Sequence, residues 1–309
     1  MNPEQLQQLR QSLPPFADAA APPAQLRDFC SFYGVDFRDR TGVEHRVGTV
    51  ASGPYQLAVH RWTHPDNSHN LLLLHGYFDH TGLFGRLIDY GLSRRCNVLI
   101  FDLPGHGLSS GEPAAIDEFS DYSRAIADVL AAVPLPELPL WTMAQSTGCA
   151  ALVDFARDSH WPFSAAVLLA PLVRPVAWFQ IRLLHMLVNR FADHVPREFT
   201  ENSSDRDFLE FVQRDPLQSR KVSVRWVGAL RRWLAALSPS DLGVGPALVV
   251  QGDEDRTVDW KYNLAVIDKL FPGSRVEYLP GGGHQLANES EEMRRRYYRA
   301  VDQYLGFSE

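Results

Sequence analysis

The sequence predicts an α/β fold, a mostly parallel and doubly wound sheet that is interrupted by a helical insertion. Three observations support this prediction. Short apolar runs alternate with helical patterns along most of the chain, one such run passes through a serine directly into a helix, and the alternation stops over residues 172–242. We therefore expect an N-terminal arm over residues 1–40, an α/β core over 41–171 and 243–309, and a helical cap over 172–242.

The first part of the chain predicts an arm followed by a hairpin. A polar helical stretch and two proline pairs, at 14–15 and 22–23, are typical of a peripheral segment. Strand patterns then cover residues 43–50 and 55–62, and residues with strong turn preference lie at 51–54 between them. This arrangement predicts an antiparallel hairpin at the edge of the sheet.

The remaining elements alternate between buried strands and amphipathic helices. Continuous apolar runs are typical of strands buried on both faces, and apolar residues spaced by three and four are typical of helices. Such alternation implies parallel strands joined by right-handed crossovers. The predicted strands cover residues 70–74, 97–101, 138–143, 165–170, 247–250 and 275–278, and the predicted helices cover 82–92, 117–133, 259–271 and 290–305.

Composition and charge restrict the classes of partner. The chain has 309 residues, of which 45% are hydrophobic and 22% charged, as in ordinary globular proteins. A net charge of −7 without a basic run argues against a nucleic-acid partner. The three cysteines are far apart, and they predict neither a disulfide framework nor a metal site.

The sequence also lacks targeting and cofactor signals. The N-terminal residues lack the positively charged start and the apolar centre that are typical of a secretory signal. No apolar run approaches the roughly 20 residues that span a bilayer. We therefore expect a cytoplasmic protein without an integral membrane segment. Transient contact with a membrane surface and the oligomeric state are left open. Because phosphate-loop, dinucleotide-binding and zinc-protease motifs are missing, the sequence predicts no cofactor and no metal.

The clearest chemical signal is the strand–serine–helix sequence Ala144-Gln145-Ser146-Thr147-Gly148. A sharp turn between strand and helix lifts a serine hydroxyl clear of the sheet, and small residues are needed where the strand and helix nearly touch. Ala144 stands where this G-x-S-x-G pattern has glycine, which adds one methyl group but keeps the position small. Since a serine at such a junction is also a common helix N-cap, the prediction that Ser146 is a nucleophile depends on partners elsewhere.

Two late loops supply such partners. The first contains Asp253, Glu254, Asp255 and Asp259, some of which are expected to cap the following helix. In the second, His284 follows three glycines, which leave room for an imidazole to approach the serine. The order serine, acid, histidine, with each group in a loop after a strand, is the order found in hydrolases built on an α/β sheet.

These motifs resemble the α/β-hydrolase superfamily, in particular its lysophospholipase and monoacylglycerol lipase-like branch of serine aminopeptidase-type hydrolases. The acid loop fits the branch pattern G-x-x-D-x-x-V at Gly252, Asp255 and Val258, and the resemblance implies that Asp255 is the triad acid. The loop around His284 resembles the ending G-x-x-H-x-L-x-N-E, and the resemblance implies that this histidine is the base.

Two further loops carry the same resemblance. His75-Gly76-Tyr77 resembles the oxyanion loop of the family, which implies that the backbone N–H groups of Tyr77 and Thr147 bind the oxyanion. The D-x-x-G-H-G-x-S pattern that begins at Asp102 resembles a structural turn beside the site, so the histidine within it is not assigned to catalysis.

The resemblance implies a serine hydrolase that forms an acyl-enzyme. Ser146 would attack an acyl carbonyl, His284 would take the serine proton, and Asp255 would orient the imidazole. The expected substrate is a small-molecule acyl ester of lipid type, such as a monoacylglycerol or a lysophospholipid. The same triad can cleave acyl groups from different leaving groups, so a small-ester esterase, a thioesterase and a peptidase are alternatives. A noncatalytic ligand-binding homologue is an alternative of a different class.

The expected cap contains a dense apolar stretch directly after a strand end, where such folds place segments that gate the substrate. We interpret this stretch as a lid with an acyl-binding wall, and Trp178, Phe179, Leu183 and Met186 are the predicted substrate-binding residues. The alternative interpretation is that these side chains form the core of the cap itself.

Overall fold

Within residues 1–18 and 24–307, which the computed structural model describes, the strands form one eight-stranded sheet and one two-stranded sheet. The proline pair predicted at 22–23 lies outside the described residues. In chain order the elements are α1 Pro3–Ser12, α2 Ala24–Tyr33, β1 Glu44–Ser52, β2 Tyr55–Thr63, β3 His69–Leu74, α3 Gly85–Ser93, β4 Cys96–Phe101, α4 Ser120–Ala132, β5 Leu140–Gln145, α5 Thr147–Asp158, β6 Ala165–Leu169, α6 Trp178–Val188, β7 His194–Pro196, α7 Arg206–Arg214, β8 Lys221–Ser223, α8 Val224–Ala236, β9 Leu248–Gly252, α9 Trp260–Leu270, β10 Arg275–Leu279 and α10 Glu291–Leu305.

The large sheet has the strand order β1-β2-β4-β3-β5-β6-β9-β10. The pairs β1/β2 and β2/β4 are antiparallel, and the other neighbouring strands of this sheet are parallel. The predicted hairpin therefore lies at one edge, and the carboxyl ends of the parallel strands meet along one side of the sheet. At that side the loops after β3, β5, β9 and β10 lie close together.

Hydrophobic cores cover both faces of the sheet. In β3, Leu72 and Leu74 belong to the core on one face, together with residues of α4 and α5. Leu71 and Leu73 belong to the core on the other face, together with residues of α3 and α10. Side chains alternate across a strand, so a strand buried on both faces needs an unbroken apolar sequence. This arrangement confirms the predicted doubly wound α/β fold.

The N-terminal segment is more than the peripheral arm that the sequence predicts. Leu9 of α1 and Phe29 of α2 are fully buried, and both belong to the core that α3 and α10 cover. Phe16, between the two helices, is buried against the opposite core. Burial of such side chains stabilises the fold by about 1.5–3 kcal/mol each, so the segment is an integral part of the described structure.

The segment between β6 and β9 interrupts the alternation, since these two strands are neighbours in the sheet but far apart in the chain. It contains α6, α7 and α8, as the helical pattern predicts, and also β7 and β8, which pair antiparallel. The all-helical expectation for residues 172–242 is wrong in this respect. The sequence does not reveal the two strands, because three residues are too few to show a period of two. No helix in the described ranges is long and apolar enough to cross a bilayer.

Candidate active site

Ser146 lies at the sharp turn between β5 and α5, with φ at +51°. A non-glycine residue with positive φ is strained, and here the backbone holds the strained turn in place. The Ser146 N–H donates to the Leu169 carbonyl at 2.9 Å, and the Ser146 carbonyl accepts from Leu172 at 3.2 Å. A Cβ at Gly148 would lie 2.6 Å from the Leu74 carbonyl oxygen, so only glycine fits there. The methyl group of Ala144, by contrast, fits at a fully buried position.

His284 lies between Ser146 and Asp255 and faces both. Its Nε2 is 2.9 Å from the Ser146 Oγ, and its Nδ1 is 2.8 Å from the Asp255 Oδ2. The other oxygen of Asp255 accepts hydrogen bonds from the N–H groups of Thr257 at 2.8 Å and Val258 at 3.1 Å. All three predicted triad side chains are buried. The structure therefore brings Ser146, His284 and Asp255 together in hydrogen-bonded order.

The other carboxylates of the acid loop do not face His284. Asp253 is exposed, and its Oδ1 accepts from the Gly281 N–H at 2.7 Å. Asp259 is the N-cap of α9 and pairs with Arg174 at 2.6 Å. The helix-capping role expected among these acids belongs to Asp259, whereas Asp253 supports the histidine loop.

Burial and charge act in opposite directions on the His284–Asp255 pair. Burial alone lowers the pKa of His284, but the neighbouring Asp255 carboxylate outweighs it and raises that pKa above its ordinary value. Burial likewise raises the pKa of Asp255, but the charge and hydrogen bond of His284 lower it overall. The pair thus favours a charged carboxylate beside an imidazole that readily accepts a proton.

Tyr77 lies in the loop after β3 and Thr147 is the first residue of α5, and their N–H groups have no acceptor in the described part of the chain. A Cβ at Gly76 would lie 3.3 Å from the Ser146 Cβ, so the loop after β3 packs directly against the serine. The His75 ring fixes this loop, because its Nδ1 donates to the Gly76 carbonyl at 2.8 Å and its Nε2 accepts from the Leu103 N–H at 2.9 Å.

Burial lowers the pKa of His75 to about 4, so this ring is neutral and serves the loop rather than the chemistry. Asp102 is similarly structural, since its oxygens accept from the N–H groups of Thr81 at 2.6 Å and Leu108 at 2.7 Å. The bond from Leu108 folds the turn that the D-x-x-G-H-G-x-S pattern predicts beside the site, and the bond from Thr81 ties this turn to the segment after β3.

Sequence reasoning missed the polar residues that hold the histidine loop. The N–H groups of His284 and Gln285 donate to the Asn202 carbonyl at 2.9 and 2.8 Å. The Gln285 side chain donates to the Asp79 Oδ1 at 2.9 Å and contacts Gln145. Asn202 belongs to the segment between β6 and β9, so that segment bonds directly to the loop that carries the predicted base. No local sequence pattern links these distant positions.

A cavity of about 390 Å³ opens at Ser146 and His284. Apolar side chains from α6 and α8 form much of its wall. These residues are Trp178, Ile181, Leu184, Val188, Trp226, Val227 and Leu230. Trp226 also stacks on the Tyr77 ring, with 3.9 Å between ring centroids.

The structure corrects the predicted acyl-binding wall at three of four positions. Trp178 lines the cavity, but Phe179, Leu183 and Met186 do not. They lie on the outer face of α6, where Phe179 is 73% exposed and Met186 is 52% exposed. Residues one or two positions apart on a helix point in different directions, so Ile181 and not its neighbours lies on the inner face with Trp178. Within residues 1–18 and 24–307, no group of three or more His, Cys, Asp or Glu side chains is arranged to hold a metal ion.

Comparisons with known proteins agree with this fold. A family model described as serine aminopeptidase, S33, matches residues 65–291. The chain is 23% identical to phospholipase YtpA of Bacillus subtilis (strain 168) over 257 residues, which cover 76% of this chain and 95% of the relative. It is 26% identical to monoglyceride lipase of Mus musculus over 279 residues, which cover 82% of this chain and 88% of the relative.

Solved structures show the same fold. A soluble variant of monoglyceride lipase from Saccharomyces cerevisiae, in complex with a substrate analog, matches with a TM-score of 0.72 and 18% sequence identity. The match covers 84% of this chain and 94% of that chain. The predicted resemblance to the monoacylglycerol lipase-like branch of the α/β-hydrolases is therefore confirmed. Because the family model matches most of the chain, the chain belongs to the serine aminopeptidase S33 family.

Proposed function

We propose that this protein is a serine hydrolase that cleaves carboxylic esters of lipid type through an acyl-enzyme. The observation that carries the proposal is the hydrogen-bonded order Ser146, His284, Asp255 in the wall of a largely apolar cavity. A strained serine at a strand–helix turn, with a histidine on its hydroxyl and a carboxylate behind that histidine, is the arrangement of a serine nucleophile.

In the first half of the reaction, the Ser146 Oγ attacks the acyl carbonyl and its proton passes to the His284 Nε2. Asp255 accepts from the Nδ1–H, holds the imidazole in the reactive tautomer and stabilises the imidazolium. The N–H groups of Tyr77 and Thr147 donate to the oxyanion, and such a donor contributes about 2.7–4 kcal/mol. The Nε2–H then protonates the departing alcohol oxygen, which leaves the acyl group on Ser146.

In the second half, a water takes the place of the alcohol. His284 accepts a proton from this water as the water oxygen attacks the acyl-enzyme, and it returns the proton to the Ser146 Oγ as the carboxylic acid leaves. The charge of the second oxyanion is bound by the same two N–H groups. No step in this sequence requires a cofactor.

The apolar wall from α6 and α8 supports an acyl chain as part of the substrate. Two relatives carry the names phospholipase and monoglyceride lipase, which supports a lysophospholipid or a monoacylglycerol as the substrate. We further propose that residues 172–242 act as a cap over the α/β core, with α6 as the lid. A cytoplasmic location stays a prediction from the sequence.

The outer face of α6 supports transient contact with a membrane surface. Phe179 is 73% exposed, Leu187 is 64% exposed, and Phe191 just beyond the helix is 88% exposed. Apolar groups in such positions mark surfaces that meet lipid or other apolar partners. A lid with this outer face would open next to the lipid that supplies the substrate.

Labelling with a fluorophosphonate probe tests the proposal. We expect the wild-type protein to be labelled and to hydrolyse p-nitrophenyl esters, and we expect Ser146→Ala to remove labelling and lower kcat by about 10⁴ to 10⁶. Ser31→Ala, which removes an exposed hydroxyl on α2, serves as the matched control. If Ser146→Ala keeps a tenth of the turnover, Ser146 is not the nucleophile. A wild type that neither reacts with the probe nor cleaves any ester favours a noncatalytic ligand-binding protein.

Substrates with other scissile bonds or acyl groups separate the remaining substrate classes. A peptidase, which the description of the family model favours, would cleave aminoacyl p-nitroanilides, which an esterase would leave intact. A thioesterase would prefer acyl thioesters, and a small-ester esterase would prefer acetate to longer acyl groups.

A further inference from the structure

Arg197 brings a positive charge into the cavity that contains Ser146 and His284. The residue follows β7 and lines the cavity together with Phe78 and Phe199. The Arg197 Cζ lies 3.8 Å from the centroid of the Phe78 ring and 4.4 Å from that of Phe199. Phe78 directly follows Tyr77, so the guanidinium is one aromatic ring away from the loop that carries the proposed oxyanion donor.

The hydrogen bonds of Arg197 leave part of its guanidinium available. Its Nη1 donates to the Gln218 Oε1 at 2.7 Å and to the Ser219 carbonyl at 3.1 Å. The Nε and Nη2 groups have no acceptor in the described part of the chain, and no carboxylate there lies within 4.0 Å of the guanidinium. Burial lowers the pKa of Arg197 to about 10, so the group stays charged at neutral pH.

We call the cavity side chains of Gln218, Gln285 and Asp79, together with Arg197, the polar cluster. Gln218 bonds both Arg197 and the Phe78 carbonyl, and Gln285 donates to Asp79 at 2.9 Å. Asp79 lowers the cost of burying the guanidinium without forming an ion pair with it. The walls from α6 and α8 are apolar instead. An acyl chain packs best against those walls, which leaves the alcohol part of the ester facing the polar cluster.

We infer that Arg197 binds a phosphate group on the alcohol side of the ester, so that the site prefers lysophospholipid-type substrates to neutral monoacylglycerols. The inference rests on the proposed function and adds a specificity-determining residue to it. A guanidinium with two free donor groups matches the geometry of phosphate oxygens, and such charge-assisted hydrogen bonds are stronger than those to a neutral hydroxyl. Arg197 is half-buried, and its Nε and Nη2 groups can therefore donate to a substrate phosphate inside the cavity.

Two substrates that differ only in the phosphate test this inference. They are 1-decanoylglycerol and 1-decanoylglycerol 3-phosphate, both used below their critical micelle concentrations. We expect the wild type to hydrolyse the phosphate ester with the higher kcat/KM. In Arg197→Gln, the loss of kcat/KM on the phosphate ester should exceed the loss on the neutral ester by about 10- to 100-fold. Arg197→Lys should keep part of the preference, because it keeps the charge but not the planar donor geometry.

Arg220→Gln is the matched control. Arg220 lies on the neighbouring chain segment, where its carbonyl accepts from the Arg197 N–H at 3.0 Å, but it is exposed and does not line the cavity. This variant loses the same charge and should keep the wild-type ratio of the two kcat/KM values. An equal loss on both substrates in Arg197→Gln would overturn the inference, since it would assign Arg197 to supporting the Phe78 loop.

Product inhibition gives a second readout that does not depend on the variant folding. Glycerol 3-phosphate should slow fluorophosphonate labelling of the wild-type protein at concentrations where glycerol has no effect. Equal effects of the two compounds would contradict the inference. A wild type that is labelled at Ser146 and cleaves both esters at equal kcat/KM would overturn the inference alone. A wild type that cleaves neither ester and is not labelled would contradict the proposed function and, with it, the inference.

Discussion

Both carboxylate oxygens of Asp255 have hydrogen-bond partners, so its proposed role as the triad acid gives a specific prediction for a single residue. Its Oδ1 accepts from two backbone N–H groups and its Oδ2 faces the His284 Nδ1. We predict that Asp255→Asn lowers kcat by about 10³ to 10⁴, because an amide in this position no longer selects the tautomer with a proton on Nδ1. Steady-state kinetics with a p-nitrophenyl ester measures the effect.

Asp253→Asn is the matched control for this prediction. Asp253 is two residues away in the same loop, but it is exposed and bonds the Gly281 N–H. We expect this variant to keep kcat within about threefold of the wild type, as surface changes of at most about 0.5 kcal/mol do. A large loss at Asp253 with little loss at Asp255 would move the predicted acid to the other position.

The pH dependence of hydrolysis follows from the same pair. His284 accepts a proton as the neutral imidazole, so activity is present above its pKa and is lost as the pH falls through that pKa. Burial lowers the pKa of His284, but the charge and hydrogen bond of Asp255 together raise it by more than burial lowers it. The acidic limb of kcat/KM should therefore lie above the ordinary histidine value of about 6.5. In Asp255→Asn the limb should move to lower pH. Movement to higher pH in that variant would contradict the assigned pair.

At the scale of elements, the sequence predicted those strands and turns whose formation depends on the local residue pattern. Strands such as β3 are buried on both faces and need continuous apolar residues, and the turn at Ser146 needs small neighbours, so both are visible without a structure. The pair of β7 and β8 was missed because each strand has three residues. Asp79, Arg197 and Asn202 were missed because their roles depend on contacts between distant segments, which no local spacing shows.

Helix α6 illustrates the same limit and gives a prediction. Its apolar residues cover both faces, so the sequence could not separate the inner Ile181 from the outer Leu183. Each substrate methylene buried against the inner face contributes up to about 0.8 kcal/mol. We therefore predict that wild-type kcat/KM rises several-fold per added carbon from acetate onwards and then reaches a plateau, and that Ile181→Ser reduces this rise.

Leu183→Ser, on the outer face of the same helix, is the control and should keep the wild-type dependence on chain length. The measurement is kcat/KM for p-nitrophenyl esters from acetate to dodecanoate. Rates that stay flat or fall beyond acetate in the wild type would exclude an acyl wall at α6 and favour a small-ester hydrolase. Equal slopes in the two variants would place the chain elsewhere in the cavity.

At the scale of the whole molecule, three distant segments meet at Asp215. Tyr33 of α2 donates to its Oδ1 at 2.7 Å, and the Nε2 of His80, in the loop after β3, lies 2.8 Å from its Oδ2. The His80 Nδ1 accepts from the Gly82 N–H at 3.1 Å, so the Nε2 is the donor toward Asp215. All three side chains are buried. This cluster joins the N-terminal segment and the segment between β6 and β9 to the loop that flanks Ser146.

We predict that Asp215→Asn lowers the free energy of unfolding by about 2–4 kcal/mol, because the variant loses the buried negative charge and the hydrogen bond from the His80 Nε2–H, which then faces an amide N–H. Tyr33→Phe removes one hydrogen bond but keeps the carboxylate and its bond to His80, so it should cost less. Asp193→Asn, an exposed change in the same inserted segment, should stay within about 0.5 kcal/mol of the wild type. Urea unfolding followed by circular dichroism measures all three.

Because the cluster also positions the inserted segment, limited proteolysis under native conditions should cleave Asp215→Asn between β6 and β9 faster than Asp193→Asn. If the two variants unfold at the same urea concentration and resist protease equally, Asp215 does not hold these segments together.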